Sequence, residues 1–288
     1  MDNEQKKTIP LGESTAYVSE YDASLLYPIA RAEARKHLGL LNDLPFKGVD
    51  CWTGYEVSWL DQKGKPQIRL AEFWFECDSP YIIESKSFKL YLNSFNQTSF
   101  LSEQTVLERM QTDLSNAADT AVQVKLYSLA DEKALLINSL PGELIDDIAI
   151  SVNDYHPNPA LLNVDTNTLV SHKTLYSHLL KTNCPVTGQP DWATVFIEYS
   201  GVYIKPESLL AYIVSFREHQ DFHENCVERI FCDIKQSCQP DHLSVYARYT
   251  RRGGLDINPL RSDYPEVSAG QAEKGSQLQA MTLRTVRQ

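Results

Sequence analysis

Residues 91–95 read Tyr91-Leu92-Asn93-Ser94-Phe95, and residues 212–216 read Tyr212-Ile213-Val214-Ser215-Phe216. Downstream of each, Glu108-Arg109 precedes Asp113 by the same interval that separates Glu228-Arg229 from Asp233. The first match spans 121 residues and the second 120, so the register slips by one. The flanks repeat as well. Before the first copy, Tyr55–Leu60 and Gln67–Phe75 enclose the polar turn Asp61–Pro66 and read as a β-hairpin. Tyr91, Leu92, Phe95, Val106, Leu107, Met110 and Leu114 then recur at helical spacing, and Ala121–Tyr127 reads as a strand. Around the second copy, Thr194–Tyr199 and Val202–Ile204 flank Ser200-Gly201 as a second hairpin. Pro206 suits the first turn of a helix, a long amphipathic pattern runs to Cys232, and Leu243–Tyr249 closes as a strand. Two matches in the same order, each between a hairpin and a strand, indicate duplication. The chain reads as two strand-strand-helix-helix-strand-strand modules of the α+β class with antiparallel sheets. A loop-rich connection over residues 131–174 carries Asn158-Pro159.

Composition agrees with a globular chain of this kind. The 288 residues hold 42% hydrophobic and 23% charged side chains, enough for a sizeable core without disulfide or metal support. A net charge of −11 argues against a protein built to grip nucleic-acid phosphates or an anionic membrane. The longest apolar run, Leu209–Val214, is too short to span a bilayer. The polar start Met1–Lys7 lacks the apolar core of a signal peptide, so the expectation is a cytoplasmic protein with reduced thiols.

Four segments carry candidate chemistry. Cys184-Pro185-Val186-Thr187-Gly188-Gln189-Pro190-Asp191 follows an apparent helical pattern (Leu175, His178, Leu179, Leu180) and is a turn shaped by two prolines and a glycine. A cysteine nucleophile needs thiolate character, and Asp191 lies across the bend as an acid–base partner. A buried turn cysteine beside a capping aspartate fits the same residues. Phe222-His223-Glu224 offers a proton-transfer group and a carboxylate able to accept two parallel N–H donors; a polar helix face is the alternative. His219 and His223 also have the i, i+4 spacing of a zinc site, but no Glu follows the first His, and Cys226, Cys232 and Cys238 recur every six residues, which does not place them on one helix face. Ile83-Glu84-Ser85-Lys86-Ser87-Phe88-Lys89 opens a helix, whose N-terminus favours anions, or simply caps it. In Thr250–Pro259, Arg251-Arg252-Gly253-Gly254 reads as a phosphate wrap or an exposed strand end. There is no dinucleotide-binding G-x-G-x-x-G, no P-loop and no G-x-S-x-G elbow. Spacing alone reaches a two-module α+β protein with a candidate cysteine nucleophile.

These four segments, in this order, resemble the NADPH-dependent 7-cyano-7-deazaguanine reductases, the nitrile reductases of queuosine biosynthesis, in their long two-module form. The similarity runs from about Tyr21 to Gln288 and is weakest over 131–174. The resemblance implies tandem tunnelling-fold modules: antiparallel sheets with helices on one side, assembling into barrels in a homodimer. It implies a first module over 1–130, a connection over 131–174 and a second module over 175–288. The implied reaction reduces a nitrile to a primary amine with two NADPH through a cysteine thioimide. Cys184 is then the nucleophile, with Asp191 and His223 serving proton transfer. Ile83, Glu84, Ser85, His223 and Glu224 would hold the substrate base, and Ser85, Lys86, Arg252 and Gly253 would contact NADPH. No metal and no direct contact with tRNA are expected. A zinc-dependent tunnelling-fold hydrolase such as a GTP cyclohydrolase, and a purine-binding scaffold without chemistry, are the competing readings.

Overall fold

A computed structural model describes residues 18–40, 43–130, 140–264, 285 and 287–288. Its first half contains β1 (Pro28–Ala30), α1 (Arg31–Lys36), β2 (Lys47–Leu60), β3 (Pro66–Glu76), β4 (Tyr81–Ile83), α2 (Ser85–Ser94), α3 (Glu103–Ala118) and β5 (Gln123–Tyr127). After the short β6 (Glu143–Leu144) come β7 (Val164–Asn183), β8 (Pro190–Ile204), α4 (Pro206–Val214), α5 (His223–Cys238), β9 (His242–Tyr249) and β10 (Leu255–Ser262). One sheet runs β5-β3-β2-β10-β9-β8-β7-β6. The modules fuse where β10 pairs antiparallel with β2, from Leu255↔Gly54 to Ser262↔Lys47. Only the short β6 runs parallel to its neighbour β7.

The second module has the expected strand-strand-helix-helix-strand-strand order. Among the described residues the first shows strand-strand-helix-helix-strand, and β10 covers the free side of its hairpin. Each module has its own helix-side core. Phe73, Phe88, Tyr91 and Met110 centre the first, and Val195, Tyr212, Ile230 and Val245 the second. On the opposite sheet face, Tyr176, Phe196 and Tyr246 stack across β7, β8 and β9 with centroids 5.7 Å apart at each step.

The repeated residues make the same contacts in both modules. Tyr91 donates to Asp113 at 2.7 Å, and Tyr212 to Asp233 at 2.7 Å. Ser94 and Ser215 donate back to the carbonyls of those tyrosines, and Phe95 and Phe216 meet them edge-on. The one-residue slip falls between the paired helices, where a connecting loop absorbs it.

Two local expectations fail for physical reasons. Leu175, His178, Leu179 and Leu180 lie on strand β7, not a helix. A register shift between Ser177 and Leu180 breaks the alternation, so the buried positions fall at 175, 177, 180 and 182 and imitate helical spacing. Ser200-Gly201 is not a turn either: β8 runs through it. Gly201 sits at φ +108°, and a Cβ there would lie 2.7 Å from the Asp241 nitrogen, so glycine serves close approach, not reversal. The hairpin of the second module is therefore β7–β8, and the Cys184 segment is its own turn.

Candidate active site

The β7–β8 turn is tied at both ends. The Cys184 N–H donates to the Gln189 carbonyl at 2.9 Å, and the Gly188 N–H to the Cys184 carbonyl at 3.0 Å. Gly188 takes φ +69°, which the turn needs. Asp191 then enters β8 opposite Thr182, so the Cys184 thiol and this carboxylate belong to one hairpin. The end of β7 is fastened to the approach to α5: the Asn183 N–H donates to the His219 carbonyl at 2.8 Å, and the Asp221 N–H to the Asn183 carbonyl at 3.2 Å. His223 and Glu224, the first residues of α5, are thereby held beside the turn. From the first module come Trp52 of β2, Ile83 of β4 and the N-terminus of α2. The β9–β10 turn delivers Arg252.

Ile83, Glu84, Ser85, Cys184, Asp191, His223, Glu224 and Arg252 all line one cleft between the modules. Its free space is about 40 Å³. Lys86 and Gly253 line a neighbouring open groove of about 930 Å³, and Lys89 and Leu255 belong to both. The sequence-level candidates thus fall into two contiguous sets.

The electrostatics single out Cys184. Burial alone would raise its pKa. The Thr187 hydroxyl, the backbone N–H groups of Thr187 and Val186, and the charge of Arg252 outweigh burial, and the net shift is downward. The other five thiols, Cys51, Cys77, Cys226, Cys232 and Cys238, are all pushed up, chiefly by burial. Cys184 is therefore the one thiol with enhanced thiolate character.

Asp191 is buried. Its Oδ1 lies 2.8 Å from Arg252 Nε, and its Oδ2 lies 3.4 Å from His223 Nε2. The His223 ring stacks on Tyr249 with centroids 3.6 Å apart, and its Nδ1 faces the Ile257 carbonyl at 3.4 Å. Nε2 thus faces the Asp191 carboxylate while the other ring nitrogen faces a backbone carbonyl.

Glu84 caps α2: its two carboxylate oxygens accept from the N–H groups of Lys86 at 2.9 Å and Ser87 at 2.8 Å. Each oxygen retains a second lone pair. Glu224 is 2% exposed, and burial with the nearby negative charge of Asp50 pushes its pKa up to about 7, against the opposing charges of His223 and Arg31.

The groove has the character of a phosphate-bearing cofactor's site. Lys86 and Lys89 belong to one face of α2. Gly253 and Gly254 take φ +58° and +72°, and a Cβ on Gly253 would press on Lys89 Cδ at 3.2 Å. Lys89 was not among the sequence-level site residues, although its spacing from Ser85 and Lys86 is the signal that would have found it. Burial and the charge of Arg252 lower its pKa. Thr187, which bonds the nucleophile, carried no signal in the sequence.

The zinc spacing fails in three dimensions. His219 ends a 3-10 turn while His223 begins α5, so they share no helix face. Among the described residues no group of three or more His, Cys, Asp or Glu is arranged to hold a metal ion. Among them, too, no helix is long and apolar enough to cross a membrane.

Two family profiles match the chain: one described as nitrile reductase, 7-cyano-7-deazaguanine-reductase N-term, over residues 17–126, and one described as QueF-like protein, over 190–267. A protein named NADPH-dependent 7-cyano-7-deazaguanine reductase from Hydrogenovibrio crunogenus is 56% identical over 89% of this chain and 92% of its own. Same-named proteins of Bordetella avium and Cupriavidus metallidurans are 56% and 53% identical over 88% of this chain and 93% of theirs. The solved apo archaeosine synthase QueF-Like covers 33% of this chain and 91% of its own at 19% identity and a TM-score of 0.29, a likeness that carries no weight here. With its paired modules and its cysteine turn, the chain belongs to the NADPH-dependent 7-cyano-7-deazaguanine reductase family.

Proposed function

We propose that this protein reduces the nitrile of 7-cyano-7-deazaguanine to the amine of 7-aminomethyl-7-deazaguanine, consuming two NADPH, as a step toward queuosine in tRNA. The observation that carries this is the convergence of a lowered-pKa cysteine with an aspartate–histidine proton pair in one cleft between modules. Family membership supplies the substrate and cofactor.

A nitrile carbon accepts hydride poorly. The Cys184 thiolate adds to it, forming a carbon–sulfur bond while a carbon–nitrogen π bond breaks, and the nitrogen takes a proton to give a thioimide. The proton shared by Asp191 and His223 is the one delivered. Arg252 holds the Asp191 carboxylate in place throughout. Bound NADPH supplies hydride. After the first reduction the carbon–sulfur bond breaks, Cys184 leaves as thiolate and an imine forms; the pair, reprotonated from solvent, gives the second proton to nitrogen as hydride converts the imine to the amine. Glu224, with the free lone pairs of Glu84, accepts the N–H edge of the base, while Ile83 and Ser85 bound the same cleft. Lys86 and Gly253, joined by Lys89, would hold the cofactor along the groove, and Ser85 and Arg252 would meet it from the adjoining cleft, where cations suit its phosphates. We assign the modules to residues 1–130 and 175–288, joined by 131–174, and expect a cytoplasmic homodimer with no direct hold on nucleic acid.

The test is covalent. Incubated with 7-cyano-7-deazaguanine and no NADPH, the protein should gain the mass of one nitrile on Cys184, and the Cys184→Ala variant should gain none. No adduct in the wild type, with the base shown to bind, overturns the thioimide route.

A further inference from the structure

Behind the cleft lies a buried cluster of charge whose members come from elements far apart in sequence. Asp50 of β2 accepts from Arg31 Nη2 at 2.6 Å and from Arg261 Nη1 at 2.7 Å. Arg261 of β10 also donates to Glu228 of α5, at 3.0 Å from Nη2. Arg35 donates to the two oxygens of Glu228 at 3.0 and 2.7 Å. All five side chains are buried, with Arg261 and Asp50 fully so. Three guanidinium groups, always cationic, thus face two carboxylates. One positive charge has no counter-charge inside the cluster, and an unbalanced buried charge is unfavourable.

Two observations bear on the missing anion. Arg31 donates from Nε to Ser79 and from Nη2 to Asp50, yet its buried Nη1 has no hydrogen-bond partner among the described residues. Glu224 lies one helical turn before Glu228 on the same face of α5 and feels the charges of both Arg31 and Asp50. It forms no ion pair with Arg31 among the described residues. An ionised Glu224 brings the count to three cations and three anions. The uncommitted nitrogen of Arg31 favours that ionised state, and Asp50, which already occupies the same guanidinium, disfavours it.

We propose that Arg31 and Asp50 are positioning residues that set the charge of Glu224 from behind, Arg31 as its counter-charge and Asp50 as the competing anion, and so make capture of the base depend on pH. This rests on Glu224 being the acceptor for the base. Two parallel N–H donors require the carboxylate, because a protonated acid puts its own hydrogen in the way. The charged and titratable groups around Glu224 are Asp50 from β2, Arg31 from α1, His223 from α5 itself, and, lining the same cleft, Asp221 just before α5, Glu84 at the cap of α2 and Lys89 within it, Cys184 and Asp191 from the β7–β8 hairpin and Arg252 from the β9–β10 turn. Its upward-shifted pKa, about 7, agrees with that setting.

The experiment measures the dissociation constant of 7-cyano-7-deazaguanine by calorimetry across about pH 5.5 to 9. The full chain carries Cys184→Ala to stop chemistry. Affinity should fall on the acid side. Asp50→Asn should move the midpoint down and Arg31→Gln should move it up, each by about one pH unit, the scale on which a neighbouring charge acts. Arg31→Lys should restore the midpoint. A role in folding alone does not shift a midpoint in opposite directions. If Arg31→Gln does not fold, Asp50→Asn, which changes no volume, decides alone. A flat wild-type profile, or unchanged midpoints in the variants that fold, overturns the proposal. Survival of the acid limb in Glu224→Gln overturns instead the assignment of Glu224 to the base.

Discussion

His223 Nε2 lies 3.4 Å from Asp191 Oδ2, with the other ring nitrogen turned to a backbone carbonyl. The proposed reaction asks this pair to deliver a proton into the cleft, with Arg252 and the Ile257 carbonyl fixing its far sides. This relationship explains why an aspartate and a histidine 32 residues apart in sequence sit together beside a thiol.

Asp191→Asn should therefore lower turnover by about 10²–10⁴-fold, the usual worth of a positioned acid or base. The amide keeps the volume and leaves base binding within a few-fold. Single-turnover kinetics beside calorimetry separate the two. A large loss of affinity with unchanged chemistry would mean that Asp191 binds substrate instead of moving protons.

Cys184 should alkylate as a thiolate at lower pH than an ordinary thiol. The sign follows from Thr187, Val186 and Arg252 outweighing burial. Iodoacetamide rates followed by peptide mass spectrometry should give a midpoint below that of free cysteine, and Thr187→Val should move it up. At neutral pH the other five cysteines should lag, since burial raises each of them. Equal labelling of all six would contradict this.

Glu224→Gln should trade function for stability. The folded carboxyl has a pKa raised to about 7 from an ordinary 4.5. Between those values the folded chain keeps a proton that the unfolded chain has lost, so stability falls as pH rises through that window. The variant lacks this cost. Its melting temperature should exceed the wild type above about pH 7, by roughly 2–4 °C for each kcal/mol of relief, and converge with it near pH 5. A gap independent of pH would contradict the sign.

Tyr212→Phe should cost more stability than Tyr91→Phe. Tyr212 donates to Asp233, which has no second tyrosine in these contacts, whereas Asp113 also accepts from Tyr21 at 2.7 Å. Loss of the Tyr212 hydroxyl should cost about 1–3 kcal/mol and the Tyr91 one less. The double variant should be additive, because the sites lie in separate module cores. Urea unfolding checks both points.

Duplication was legible because Tyr91, Ser94, Phe95 and Asp113 and their counterparts do local work: one hydroxyl bond, one backbone bond and one edge-on ring in each copy. The first hairpin, around Gly64 and Pro66, and the helix start at Pro206 were legible for the same reason, whereas Gly201 was not a turn. β7 was misread because register shifts, the last of them between Ser177 and Leu180, break the alternation that marks a strand. That error also placed the Cys184 turn before a hairpin instead of within one. The cleft's contributors were readable as motifs, but the charge cluster behind Glu224 was not. Arg31, Asp50, Glu228 and Arg261 meet only through strand register and helix docking, and none has a sequence neighbour that announces its partner.

The most direct measurement counts NADPH oxidised per 7-cyano-7-deazaguanine consumed, in the purified wild type and in Cys184→Ala. Two NADPH per nitrile in the wild type, and none in the variant, is the expected result. Substrate-dependent oxidation that survives in Cys184→Ala, or that is absent from a folded wild type that binds the base, would contradict the assignment of Cys184 as the nucleophile of a nitrile reduction.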